Sequence, residues 1–333
     1  MNASRPSRWR KAGAILAAVA ALASPLATGS AFAQAWPAKP VKFVSPFPPG
    51  GSVDPLARLF AAKLTEAMNQ QFIVENRTGA SGSIGTAFVA KSAPDGYTFV
   101  FVFDTHAVNP ALIPNLPFDT QKDLAPVMLI GTAPMGIATA LNKPYKTFAD
   151  VIAAAKAKPD SVSYGSVGNG SLGHLTMTLV QQAGGFRVVH APYKGGGPMT
   201  ADALGGQIDL AVGSVAVIAP HVRGGKLRAV AVTGDKRSAA MPDAPTLAEQ
   251  GFPGFSALAW WGVFAPAGTP RPIIDRLNAE MGKIIADPAI RKQLTEGQGM
   301  DIVGGAPEVL QKWTDGEIAR WGKVVRENNI RAD

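Results

Sequence analysis

Short apolar segments alternate with amphipathic ones along most of this chain, and that rhythm restricts the fold to an α/β architecture. Val41-Lys42-Phe43-Val44-Ser45 reads as a strand, stopped by Pro46-Phe47-Pro48-Pro49-Gly50-Gly51. Ser52 or Asp54 is then placed to cap a helix with Pro55 in its first turn. Leu56, Leu59, Phe60, Lys63, Leu64 and Ala67 give that helix its stripe, at spacings of three and four. Phe72-Ile73-Val74 is the next strand, followed by a Gly-rich turn at 78–85 and a helix to about Lys91. Residues 97–103 are almost wholly apolar, as in a strand covered on both faces of a parallel sheet.

The rhythm restarts after Ala140. A helix is expected over 147–158, with Thr147 and Asp150 spaced as a capping box. Strands follow at 161–164, 187–190, 210–212 and 227–232, with helices near 172–183 and 198–204 between them. Thr269-Pro270 and Asp287-Pro288 each open a helix, and the last one runs from Pro307 to about Asn328. The alternation implies two doubly wound α/β domains with parallel sheets and helices on both faces. Chain crossings are expected near 135–141 and 257–266, so 34–136 with 263–333 forms one domain and 137–262 the other. A ligand cleft then lies between them, beyond the carboxyl ends of the strands.

The first 33 residues read as a secretory signal peptide. Arg5, Arg8, Arg10 and Lys11 form a basic start, an apolar run covers 12–23, and Ala31-Phe32-Ala33 matches an A-x-A cleavage site. The run is shorter than the roughly 20 residues a membrane span needs, and the basic residues are not a twin-Arg pair. There is no cysteine in the chain, hence no disulfide framework, no thiol chemistry and no lipid anchor after the apolar run. A soluble protein of a bacterial periplasm is the expectation. Without the four basic residues of the leader the net charge falls from +8 to +4, with no Lys/Arg run beyond it, which argues against nucleic acid as a partner.

Two Gly-rich turns each join a strand to a helix start: 48–54, and Gly165-Ser166-Val167-Gly168-Asn169-Gly170-Ser171-Leu172-Gly173-His174. Free backbone N–H groups and the positive end of a helix dipole attract anions at such places. Ordinary capped connections would look the same. Gly168, Gly170 and Gly173 spell G-x-G-x-x-G, but no Asp or Glu lies between His174 and Ala201 to hold a ribose, which speaks against a dinucleotide. Neither Ser166 nor Ser171 sits in a G-x-S-x-G elbow. His106, His174, His190 and His221 are scattered without metal-ligand spacing, so no metal and no cofactor is expected. His190 reads as a core or cleft histidine. Asp104-Thr105-His106 follows the buried strand and offers a third ligand-facing position, where His106 and Asn109 serve equally well as turn residues.

Several stretches, taken in order, resemble the Bug-type solute receptors of tripartite tricarboxylate transporters. They are 46–54, Val74-Glu75-Asn76-Arg77-Thr78-Gly79-Ala80, Ala93-Pro94-Asp95-Gly96-Tyr97-Thr98, Tyr164-Gly165-Ser166 with Gly168 and Gly170-Ser171, and His190-Ala191-Pro192-Tyr193-Lys194-Gly195. Pro245-Thr246-Leu247-Ala248-Glu249-Gln250-Gly251 and Trp261-Gly262 leading to Ala265-Pro266-Ala267-Gly268-Thr269-Pro270 complete the set. Pro49 stands where that family usually has a small residue. The resemblance implies a periplasmic binding protein type II-like fold, a Venus flytrap that closes on a small organic acid or amino acid. It implies Phe47, Gly51, Ser52 and Asp54 on one wall, joined by Thr105 and His106, and Ser166, Asn169 and Ser171 on the other. Delivery by a monomer to membrane transporter subunits of the tripartite type goes with it. The alternatives are a receptor that presents its ligand to a sensor, and a periplasmic enzyme acting on an anionic substrate.

Exported protein is expected to begin at or near Gln34. N-terminal sequencing checks this, and retention of the basic segment refutes the leader.

Overall fold

The computed structural model describes residues 36–332; the expected leader, 1–33, lies outside the described residues. Strand β1 (Val41–Ser45) pairs in parallel with β2 (Phe72–Asn76) and β3 (Thr98–Val102). Helices α1 (Val53–Met68) and α2 (Ser83–Ala90) make the crossovers. Helix α1 buries Leu56, Phe60 and Leu64 together with Ala57 and Ala61, while Ala67 is exposed. Full burial of a side chain such as Phe60 or Leu64 contributes about 1.5–3 kcal/mol. After β3 the chain enters α3 (Thr105–Leu112), a helix the sequence reading treats as a turn.

The largest departure from expectation is β4 (Leu124–Ala140), a strand of 17 residues buried along nearly its whole length. Its first part pairs antiparallel with β9 (Leu258–Pro266) and β10 (Asp301–Ile302). Its last part pairs antiparallel with β7 (Leu210–Ser214) and β8 (Leu227–Val232). The sheet is therefore mixed, not parallel throughout. Pro126 cannot donate to a ladder, and the register with β9 shifts between Pro126 and Met128.

The second half is built around β5 (Ser163–Ser166), parallel to β6 (Val189–Pro192) and to β7. Its helices are α4 (Phe148–Ala157), α5 (Leu172–Gly184), α6 (Gly196–Leu204) and α7 (Val215–Arg223). The capping box before α4 forms as expected: Thr147 Oγ1 accepts from Asp150 N at 3.2 Å, and Asp150 Oδ2 accepts from Thr147 N at 2.8 Å. Helices α8 (Arg271–Ala286), α9 (Pro288–Lys292) and α10 (Pro307–Glu327) close the chain. The strand order is β2-β1-β3-β9-β4-β7-β5-β6, with β8 and β10 also on β4.

One half-core gathers Val44, Val100, Val102, Trp260, Phe264 and Leu310; the other gathers Phe148, Tyr164, Met177, Val212 and Phe252. The two are tied at Thr233, which is fully buried. Its hydroxyl donates to Ala257 O at 2.5 Å and accepts from Met135 N at 2.8 Å, so both crossing segments meet on one side chain.

Gly131 lets β10 approach β4: a Cβ there would lie 2.6 Å from Met300 Cγ and 2.7 Å from Asp301 O. Gly131→Ala should cost about 1–3 kcal/mol, as overpacking does, read from the urea midpoint.

Candidate functional site

The turn after β1 is held from behind. Asp54 is buried, and its carboxylate accepts from Arg58 Nε at 2.9 Å, Arg58 Nη2 at 3.0 Å and Asn76 Nδ2 at 2.7 Å. Asn76 Nδ2 also donates to Phe47 O at 3.0 Å. In front, the Phe47 ring meets Phe103 edge-on at 6.1 Å, and Phe103 lies 5.3 Å from Trp261. Trp261 Nε1 donates to Ser52 Oγ at 3.1 Å. Ser52, one of the two candidate caps with Asp54, occupies the N-cap position of α1, but its side chain caps no helix N–H. Its hydroxyl accepts from the indole instead.

On the other half, Ser166 and Ser171 are fully buried and hydrogen-bonded to each other at 3.1 Å. Ser171 also accepts from His174 N, so it caps α5. Ser166 Oγ lies 2.7 Å from His190 Nε2, and the His190 ring stacks on Tyr164 and, at 4.0 Å, on His174. Burial, reinforced by the charge of His174, lowers the His190 pKa to about 3. Asn169 is half-buried on the same turn. Gly168 and Gly170 adopt φ of +122° and +70°. A Cβ on Gly170 would fall 2.3 Å from Leu112 Cδ2, so this turn packs directly on α3 of the first half.

Between the halves lies a cavity of about 30 Å³ lined by Phe47, Gly51, Ser52, Val53 and Phe103 from one side. Val167, Gly196, Gly213, Ser214 and Val217 face them from the other. Outside it, a larger cavity of about 330 Å³ shares Gly51 and Val217 and reaches His221. Three helix starts thus converge on the inner cavity: α1 at Ser52 and Val53, α6 at Gly196, and α7 at Ser214. None of the ten lining residues is charged. Among the described residues no cluster of three or more His, Cys, Asp or Glu could hold a metal ion.

Of the nine residues named from sequence, Phe47, Gly51 and Ser52 line this cavity. Ser166, Asn169 and Ser171 flank Val167, which does, but do not line it themselves. Asp54 braces the turn. Thr105 Oγ1 donates to Ser81 O at 3.0 Å. His106 is turned away: because α3 starts at Thr105, the helix carries the ring into the apolar interior, 4.9 Å from Phe264 and stacked on Phe118. A helix at 198–204 is expected from sequence, but not the starts of α6 and α7 as ligand-facing positions, although three glycines at 195–197 and Ser214 at a strand end are visible signals.

The sequence profile of the tripartite tricarboxylate transporter family receptor matches residues 56–330, and the chain belongs to that family. An adipate complex of Rpa4515 from R. palustris has 35% identity and a TM-score of 0.85, covering 89% of this chain and 99% of that one. The periplasmic binding protein BugD has 31% identity and a TM-score of 0.83, with 89% and 100% covered. MatC from Rhodopseudomonas palustris with bound malate has 31% identity and a TM-score of 0.80, with 87% and 100% covered. The fold is that of the periplasmic solute-binding proteins of this type. No helix among the described residues is long and apolar enough to cross a membrane.

His106 gives the fold an acid sensitivity. Neither ring nitrogen has a hydrogen-bond partner, and burial lowers its pKa from 6.5 to about 3. Between those values the unfolded chain takes up a proton that the folded chain refuses. Stability from this group is full above about pH 6.5 and is lost as pH falls toward 3, at up to about 1.4 kcal/mol per pH unit. His106→Phe should flatten this slope in urea unfolding between pH 7 and 4.5, without loss of stability at pH 7.

Proposed function

We propose that this protein is an extracytoplasmic receptor that binds a small carboxylate-containing solute in the inner cavity and hands it to a tripartite-type membrane transporter. The carrying observation is the convergence of three helix starts on a cavity without a charged side chain. Each start offers unpaired backbone N–H groups and a partial positive charge, which together suit an anion. The Ser52 and Ser214 hydroxyls add donors at opposite walls. Adipate and malate in the similar structures support a carboxylate here.

A cavity of about 30 Å³ has room for about one or two waters, so an organic acid enters when the halves part and is enclosed when they close. The two lobes in this reading are 34–136 with 263–333, and 137–262, save that β9 from Leu258 pairs and packs with the first; they are hinged at the crossing segments that Thr233 ties. Export to the periplasm fits the leader at 1–33 and the periplasmic BugD.

Receptor is favoured over enzyme on chemical grounds. Ser166 and His190 stand as a nucleophile and base would. Yet Ser166 is fully buried and also bonded to Ser171, and a histidine with a pKa near 3 is a poor base at neutral pH.

A calorimetric screen of mono- and dicarboxylates, with adipate and malate included, tests the reading. Hydrogen bonds to a charged group contribute about 1.5–3 kcal/mol, so Ser52→Ala and Ser214→Ala should each weaken the best hit about tenfold or more. Loss at Ser171→Ala with neither of these affected would move the site to the α5 start. A neutral best ligand, or turnover of the acid, would end the proposal.

A further inference from the structure

Asp104 is a buried charged group that the site leaves without a task. It stands on the turn from β3 into α3, is 1% exposed, and neither carboxylate oxygen completes a hydrogen bond. The backbone N–H of Thr105 faces it from its own helix, and that of Leu172 faces it from the second half. Leu172 is the first residue of α5, whose N-cap Ser171 oxygen accepts from His174 N and not from Leu172 N. The Leu172 N–H is thus one of the donors a helix start leaves open, and the carbonyl oxygen of a carboxyl group can accept from it. Beside it, Gly170 presses on Leu112, so the two halves meet here without a gap.

The charged and titratable groups around Asp104 come from three helices. From α10, Glu317 accepts from Trp321 Nε1 at 2.7 Å and lies 4.0 Å from Arg320. From α5, His174 Nδ1 accepts from Gly170 N at 3.1 Å and its ring stacks on His190. On α3 itself, His106 turns into the core. Neither α3 nor α5 contains a lysine or arginine.

We propose that Asp104 is an interlobe latch, a positioning residue whose carboxyl group docks on the N-terminus of α5 when the halves close and returns to water when they part. The latch deepens the receptor reading and rests on it for its purpose. Closure then takes up a proton. Burial, partly offset by the Leu172 N–H, and the nearby Glu317 carboxylate hold the docked group well above the usual carboxylate range. In water it returns to about 3.9. The docked, protonated form is favoured at low pH, and closure weakens as pH rises through the raised value.

The absence of cysteine makes the test clean, because Lys91→Cys and Lys156→Cys put single dyes on exposed positions of the two halves. Energy transfer between them, read from pH 5 to pH 9 without added ligand, should fall as pH rises. Asp104→Asn, uncharged and of the same shape, should lose the pH response. Glu317→Gln should move the midpoint to lower pH, by about one unit if the repulsion is worth tenfold. A pH response that persists unchanged in Asp104→Asn overturns the latch. Should that variant fail to fold, an unmoved midpoint in Glu317→Gln overturns it equally. If neither adipate nor malate binds while the distance response stands, the carboxylate reading fails and the latch does not; if an acid binds and no distance response is seen, the latch alone fails.

Discussion

Both segments that cross between the halves are held by one buried hydroxyl, and the geometry of the cleft depends on it. Thr233 bonds Met135 in β4 and Ala257 just before β9, so neither segment can slide without the other. β4 then carries pairing partners from both halves on a single backbone. A strand shared in this way transmits bending but resists shear, because a slip would break its ladders to partners in both halves at once. In the proposed reading the halves would then move by rotation about the crossing, the kind of closure a cleft between two rigid halves needs.

The cleft walls are built from different materials. On the first half, an aromatic chain from Phe47 through Phe103 to Trp261 sets the turn from the front, and the Asp54–Arg58–Asn76 group sets it from behind. On the second half, glycines at 195–197 and the start of α7 bring bare backbone forward. Cavity Ser52 and Ser214 contribute hydroxyls, but in the proposed reading the attraction for an anion would come mainly from the peptide groups themselves. The Ser166–Ser171–His190 network fixes the shape of the neighbouring turn and stays neutral while doing so.

Local chemistry made much of this legible in sequence. The capping box at Thr147 and Asp150, the helix openings at Pro270 and Asp287, and the β1 turn all follow from residue type and spacing. β4 was not legible, because Pro126, Gly131, Pro134 and Gly136 break an apolar run that has no alternation, and only its partners on both sides make it a strand. α3 and α7 each carry a proline, Pro110 and Pro220, and are too short for periodicity to speak. The inward turn of His106 depends on where α3 begins. Phe47, Gly51 and Ser52 were readable as a strand-to-helix turn, whereas Gly196 and Ser214 matter only because topology brings their helix starts opposite it.

The bond from Trp261 to Ser52 has an optical consequence. Indole emission responds to whether the ring nitrogen has a polar partner, and this nitrogen is tied to the very turn that lines the cavity. Trp260, its neighbour, is equally buried, but its ring nitrogen has no partner. Under the proposed closure Trp261 is thus an intrinsic fluorophore at a wall of the cleft, beside a second buried indole without a polar partner, and occupancy of the cleft would be read from the protein's own emission.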